Sequence, residues 1–230
     1  MERALAKRSP AEAFDHVDTW IFDLDNTLYS PTCKLFDQID VRMGSFISDL
    51  LTVDAVEAKR IQKDYFRSHG TTLNGLIEFH GIDPHDFLDF VHDIDLDVVP
   101  RDPHLDAALE KLPGRKVIHT NASTGHAERV MDRLGVRDHF EIVFGIEDSR
   151  FQPKPRPEGY HQLLNDHQID PKTSVMVEDS ARNLPPARAL GMVTVWLPTH
   201  ETWSHEGADH NSIDHVTDDL VAWLNSLSNE

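Results

Sequence analysis

Residues 20–30 read Trp20-Ile21-Phe22-Asp23-Leu24-Asp25-Asn26-Thr27-Leu28-Tyr29-Ser30. The apolar run Trp20-Ile21-Phe22 has the character of a buried strand, and two carboxylates follow it two residues apart. Asp23 and Asp25 repel each other and raise each other's pKa unless a cation sits between them. Two acids released at a strand end, with Thr27 close behind, suit a site where one acid attacks phosphorus and the other moves a proton. A module that only binds has little use for acids packed so closely. The segment therefore suggests an enzyme, a metal and a covalent intermediate.

Strand-like apolar runs recur along the chain at Trp20–Leu24, Lys116–Thr120, Ile142–Gly145, Ser174–Glu178 and Val193–Leu197. Helical patterns lie between them. Asp102-Pro103 reads as an N-cap followed by an N1 proline, opening a helix through Leu105, Leu109 and Leu112. Ala127, Val130, Met131 and Leu134 follow helical spacing up to Gly135. Tyr160, Leu163, Leu164 and His167 repeat that spacing before Pro171. Strand–helix alternation predicts an α/β fold: a Rossmann-like, doubly wound parallel sheet with helices on both faces and ligands at the carboxyl ends of the strands.

One stretch breaks the alternation. From Cys33 to Pro100 the chain reads as helical throughout. Leu35, Ile39, Met43, Phe46, Ile47 and Leu50 make one amphipathic helix, Leu73, Leu76 and Ile77 begin another, and Phe87, Leu88 and Val91 form a third. This predicts a core domain of residues 14–32 and 101–230, with a small helical cap, residues 33–100, inserted after the first strand. A cap that closes excludes water and contacts the leaving group. The alternative is a plain structural bundle.

The 230 residues carry 40 acids against 22 Lys plus Arg, a formal charge of −18. That balance argues against a nucleic-acid polymer as partner, because a phosphate backbone would be repelled. It leaves open a small phosphorylated metabolite, since a local pocket can be positive in an acidic protein. Cys33 is the only cysteine, so no internal disulfide can form, which fits a reducing compartment. Met1–Pro10 has no apolar stretch behind its basic residues, and no run approaches the ~20 residues of a membrane span. The expectation is a cytoplasmic monomer or homodimer with no membrane attachment.

Four polar elements are expected at four strand ends: Asp23-Leu24-Asp25-Asn26-Thr27, Thr120-Asn121, Lys154, and Glu178-Asp179-Ser180. Four acids around a phosphate dianion need compensation. A hard divalent cation with oxygen ligands, Mg²⁺ above others, would offset them. Lys154 adds a fixed positive charge, and the Thr120 hydroxyl and nearby backbone N–H groups can hold phosphate oxygens.

In their order and spacing these elements resemble the haloacid dehalogenase-like hydrolase superfamily, over nearly the whole chain from Trp20 onward. The resemblance implies that Asp23 is the nucleophile, forming an aspartyl-phosphate, and that Asp25 protonates the leaving group and then activates water. It also implies that Asp179, the Asp23 side chain and the Asp25 main-chain carbonyl hold Mg²⁺, with Glu178 ligating it or holding its water. Thr120, Asn121 and Lys154 would bind phosphate, Lys154 also orienting Asp23, while Thr27 orders the loop. Asn183, where many relatives have a small residue, either touches substrate or caps the next turn. Dehalogenase members lack the second aspartate and need no metal, so Asp25 and Glu178-Asp179 resemble the phosphatase branch.

Asp23–Ser30, Gly70–Leu76, Thr120-Asn121-Ala122 and Val177–Leu184 look most like the pyrimidine 5′-nucleotidase branch. That resemblance implies a Mg²⁺-dependent phosphomonoesterase acting on nucleoside monophosphates such as UMP and CMP. A sugar-phosphate or phosphoglycolate-type phosphatase, or a phosphomutase, would share the same core, and a non-catalytic scaffold is the remaining alternative. Gly70–Leu76 reads either as a substrate-facing loop or as a turn with Thr72 as helix cap. Tyr29 and Phe36 either stack on a base or belong to the core. His69, His80 and His92 read as surface or packing residues, and His200, His205, His210 and His215 as part of a solvated loop. Thr217 is the expected N-cap of a final helix over Leu220–Leu227.

Overall fold

The structure, a computed structural model, describes residues 13–227, so the Met1–Pro10 stretch lies outside it. Strands β1 (Thr19–Phe22), β2 (Arg115–His119), β3 (Ile142–Phe144), β4 (Ser174–Glu178), β5 (Val193–Trp196) and β6 (His215–Val216) form one sheet in the order β3-β2-β1-β4-β5-β6. Every pairing is parallel. The chain winds outward from β1 in one direction and then, from β4, in the other. The carboxyl ends of β1 and β4 therefore flank the switch point of the sheet, where such folds place their ligands.

The helices, in chain order, are α1 (Leu35–Leu51), α2 (Ala55–His69), α3 (Thr72–His80), α4 (Pro84–Val91), α5 (Pro103–Lys111), α6 (Thr124–Leu134), α7 (Pro157–Asp166), α8 (Leu184–Leu190), α9 (Thr202–His205) and α10 (Leu220–Leu227). Strand side chains alternate between faces. Trp20 and Phe22 pack with Leu105 and Leu109 of α5, Val130 and Met131 of α6, and Leu224 of α10. Ile21 and Met176 face the other way, onto Tyr160 and Leu163 of α7 and Leu184 and Ala187 of α8. The sheet is thus covered on both sides, which is why its strands read as continuous apolar runs.

Helices α1–α4 share their own apolar cluster, built around Ile39, Ile47, Leu76, Phe87 and Val91. The corner between α2 and α3 reaches the rest of the molecule at two loops. Asn74 Nδ2 donates to the Phe151 carbonyl at 2.9 Å, and the Arg182 guanidinium lies 5.1 Å from the Phe66 ring centre. Among the described residues no helix is long and apolar enough to cross a membrane.

Several local expectations need correction. The cap of α3 is Thr71, whose hydroxyl accepts from the Asn74 N–H; Thr72 lies inside the helix, and its hydroxyl donates to the Gln62 carbonyl. The last helix is capped by Asp219, which accepts from Ala222 N–H at 2.9 Å, while Thr217 accepts only the Asp219 N–H. The histidine-rich stretch is not simply a solvated loop. It contains α9 and β6, and the Ser204 hydroxyl within it is fully buried.

Gly75 in α3 lies so close to α2 that a Cβ there would overlap the Tyr65 ring. Gly75→Ala should therefore cost about 1–3 kcal/mol by overpacking. Urea denaturation of the variant checks this, and an unchanged midpoint would mean that the two helices do not meet here.

Candidate active site

The turn after β1 is built to present carboxylates. The parallel ladder continues one residue past the strand, with Asp23 N–H donating to the Val177 carbonyl at 2.9 Å. Leu24 is fully buried and anchors the turn. Asn26 adopts a left-handed conformation at φ 63°, which asparagine tolerates, and the N–H groups of Thr27 and Leu28 close back onto the Leu24 carbonyl. Asp23 and Asp25 are released on either side of this anchor.

Lys154 comes not from a strand end but from the long loop between β3 and α7. Its ammonium is buried and donates to Asp23 Oδ1 at 2.7 Å, to Glu178 Oε1 at 2.8 Å and to the His119 carbonyl at 2.7 Å. These bonds use all three of its protons. Lys154 is thereby held against Asp23 and Glu178, with its protons engaged within the protein. Asn121 lies against the same loop. Its Oδ1 accepts from Lys154 N–H at 2.8 Å and its Nδ2 donates to the Lys154 carbonyl at 3.1 Å, so its side chain brackets the lysine loop. The Thr120 hydroxyl accepts from Ala122 N–H at 3.0 Å, which leaves its own proton to donate.

Asp23 Oδ2 accepts from the Thr27 hydroxyl at 3.1 Å, so Thr27 does more than order the loop. Glu178 is fully buried; beyond Lys154 it accepts from Asn183 Nδ2 at 2.6 Å and from Ser180 N–H at 2.8 Å. Asn183 thus holds Glu178 rather than capping α8, to which its side chain gives no cap bond. It is buried, and its amide is bonded to Glu178. The Asp179 carbonyl accepts from the Trp196 indole at 3.0 Å and from the Ser204 hydroxyl, which fixes the residue from behind.

Asp25 has neighbours that sequence reasoning missed. Tyr29, buried, donates its hydroxyl to Asp25 Oδ1 at 2.6 Å, so it is not free to stack on a base, whereas Phe36 is exposed on α1. His126 Nε2 stands 3.6 Å from the same oxygen. The His126 ring stacks on His92 at 4.2 Å between centres. His126 follows its own N-cap, Ser123, and nothing in its spacing sets it apart from the other histidines.

One oxygen each of Asp23, Glu178 and Asp179 lies within 4.8 Å of the other two. Asp179 Oδ2 is buried with no hydrogen-bond partner. A buried, unpaired carboxylate oxygen is costly unless it is protonated or faces a cation. The three acids therefore fit a hard divalent ion such as Mg²⁺ with oxygen ligands. Burial, followed by the neighbouring charges of Glu178 and Asp25, pushes the Asp23 carboxyl up to about 7 against the opposing pull of Lys154. Burial and the charges of Glu178 and Asp23 push Asp179 well above its ordinary range. Asp25 goes the other way: burial would raise it, but His126 and Tyr29 outweigh burial and hold it below its usual value.

Comparison with known proteins is consistent with this geometry. The profile of the haloacid dehalogenase-like hydrolases matches residues 17–191. The chain belongs to this family. Phosphate metabolism protein 8 of Saccharomyces cerevisiae is 26% identical over 214 residues, covering 85% of this chain, and the match spans 66% of the length of that relative. Among solved structures, a HAD phosphatase from Thermococcus onnurineus superposes with a TM-score of 0.64 at 19% identity, covering 93% of this chain and 99% of its own. CbbY from Rhodobacter sphaeroides, in complex with phosphate, gives 0.62 at 18% identity over 91% of this chain and 99% of its own. These likenesses establish the HAD fold: a parallel sheet wound on both faces, as the sequence predicts.

Lys154→Met should leave Glu178 and Asp23 buried without their cation, at a cost of about 3–5 kcal/mol read from urea denaturation. A variant as stable as the parent would show that the ammonium is dispensable to the fold. The raised acids also set a pH dependence. The folded protein without metal holds protons on Asp23 and Asp179 that an unfolded chain, at the ordinary 3.8, releases. The Asp23 contribution is fully present below about pH 4 and is lost as pH rises through about 7, and that of Asp179 is lost in the same direction. Mg²⁺ competes with those protons, so the rise in Tm on adding MgCl₂ should be larger at pH 8 than at pH 5.5. Equal rises at both pH values would refute proton displacement from this cluster.

Proposed function

We propose that this chain is a Mg²⁺-dependent phosphomonoesterase that works through an aspartyl-phosphate on Asp23. The observation that carries the reading is the pair of unlike aspartates. Asp23 is fixed by Lys154 and Thr27, while Asp25, two residues on, is held on Oδ1 alone. Asp23 attacks phosphorus as the bond to the leaving oxygen breaks, and the electron pair departs with that oxygen. Asp25 gives it a proton. Water then attacks the phosphorus, surrenders a proton to Asp25, and the bond to Asp23 breaks to restore its carboxylate. The Thr120 hydroxyl, with its free proton, donates to a phosphate oxygen. Mg²⁺, held by Asp23, Asp179 and the Asp25 main-chain carbonyl with Glu178 beside it, would neutralise charge on the phosphate oxygens.

Helices α1–α4 act as the cap, and a pyrimidine nucleoside 5′-monophosphate is the substrate we favour. Support comes from the Gly70–Leu76 segment, whose Asn74 bonds to the loop carrying Lys154, and from Arg182, which follows Asp179 and stacks on Phe66 of α2. Cys33 is partly exposed and unpaired, which supports a cytoplasmic setting. Phosphate release from UMP should require Mg²⁺ and vanish in Asp23→Asn; full turnover by that variant, or in EDTA, would overturn the proposal. A panel of UMP, CMP, purine nucleotides and sugar phosphates tests the substrate. Nucleotides ranking far below other phosphates would replace the nucleotidase reading with a sugar-phosphate or phosphoglycolate-type phosphatase.

A further inference from the structure

Asp25 must hand a proton to one oxygen and take one from another, so the orientation of its carboxyl decides how well it works. Its two oxygens have different surroundings. Oδ1 accepts the 2.6 Å hydrogen bond from Tyr29 and faces His126 Nε2 at 3.6 Å; Oδ2 takes no hydrogen bond among the described residues. A carboxyl held on one oxygen and free on the other is poised for transfer at the free one.

His126 is an expensive residue to keep where it is. Its side chain is fully buried, and neither ring nitrogen has a hydrogen-bond partner. An unpaired buried polar group costs about 1–3 kcal/mol, and packing alone would be served as well by an apolar ring. The His126 backbone N–H, at the start of α6, donates to the Ser123 hydroxyl at 3.2 Å, and the face of its ring lies against the His92 ring at an interplanar angle of 16°. The same hydroxyl lies 2.9 Å from His92 Nδ1, within hydrogen-bond distance. His92 stands at the end of α4, where the chain leaves the helical block, and its carbonyl accepts from Arg129 Nη2 at 2.8 Å. A continuous set of contacts therefore runs from the cap's exit, through two stacked imidazoles, to the second aspartate.

We propose that Tyr29 and His126 are positioning residues that hold the Asp25 carboxyl for its proton transfers, and that His92 is the brace through which the cap reaches it. This rests on the phosphomonoesterase reading and adds to it a route by which cap position bears on proton transfer.

The test separates leaving groups. kcat/KM reports the steps through formation of the aspartyl-phosphate, in which Asp25 acts as an acid. A nitrophenolate leaves with little help, whereas an alkoxide needs the proton. In Tyr29→Phe, His126→Gln and His92→Ala, kcat/KM for β-glycerophosphate should fall about tenfold more than for p-nitrophenyl phosphate, a fraction of the ~10²–10⁴-fold that a general acid supplies. Loss of fold or of metal would depress both substrates equally. Tyr29→Phe removes one oxygen only, so it serves should the histidine variants fail to fold. If the wild type hydrolyses both substrates and Tyr29→Phe leaves their ratio unchanged, the positioning role is overturned. If the wild type hydrolyses neither with Mg²⁺ present, the phosphomonoesterase reading falls, and this inference with it.

Discussion

One buried ammonium ties the site together. Lys154 binds Asp23 at the end of β1, Glu178 at the end of β4 and the His119 carbonyl at the end of β2. Three adjacent strands of the sheet thus converge on a single cation. None of the charged partners is tolerable alone in so buried a place, and each is tolerable because the others are there. The surrounding polar groups follow from this. Asn121 brackets the lysine's backbone, while Asn183 and the Ser180 N–H also bond to Glu178, leaving a lone pair on its Oε2. Two side chains that a motif reading assigns to phosphate or substrate, Asn121 and Asn183, thus bond to the lysine loop and to Glu178.

The same arrangement separates the two aspartates of the opening segment. They are chemically identical and two residues apart, yet Asp23 is raised and Asp25 lowered. Burial acts upward on both. The difference lies in the neighbours: Asp23 shares its surroundings with other carboxylates, whereas Asp25 has a phenol and an imidazole. A cation among the clustered carboxylates would draw Asp23 back down, as a nucleophile requires.

Much of this was legible in the sequence, for physical reasons. Strands buried on both faces appear as unbroken apolar runs, so β1–β5 were found to within a residue or two. Asp102-Pro103 and Gly135 mark helix ends because they have the right backbone chemistry for ends. What escaped was set by contacts between distant segments. The two residues of β6 have too little sequence to show a period, and α2 is largely polar, so neither stood out. Thr71 and Thr72 are equally good caps on paper, as are Thr217 and Asp219 nearby; backbone geometry chose between them. Tyr29 meets Asp25 within one turn and could have been found. The pairing of His92 with His126 could not, because only the folded chain brings those two rings together out of fifteen histidines.

The grip on Asp179 from Trp196 and Ser204 reaches beyond the span over which the chain matches its family, residues 17–191. It has a consequence for the order of events during synthesis. A nascent chain that has emerged only as far as Asp179 already carries every acid of the cluster, but lacks the two groups that bond to the Asp179 carbonyl. The cluster becomes geometrically complete only after the following strand and short helix have left the ribosome. A growing polypeptide therefore acquires its charges early and the support of the last one late.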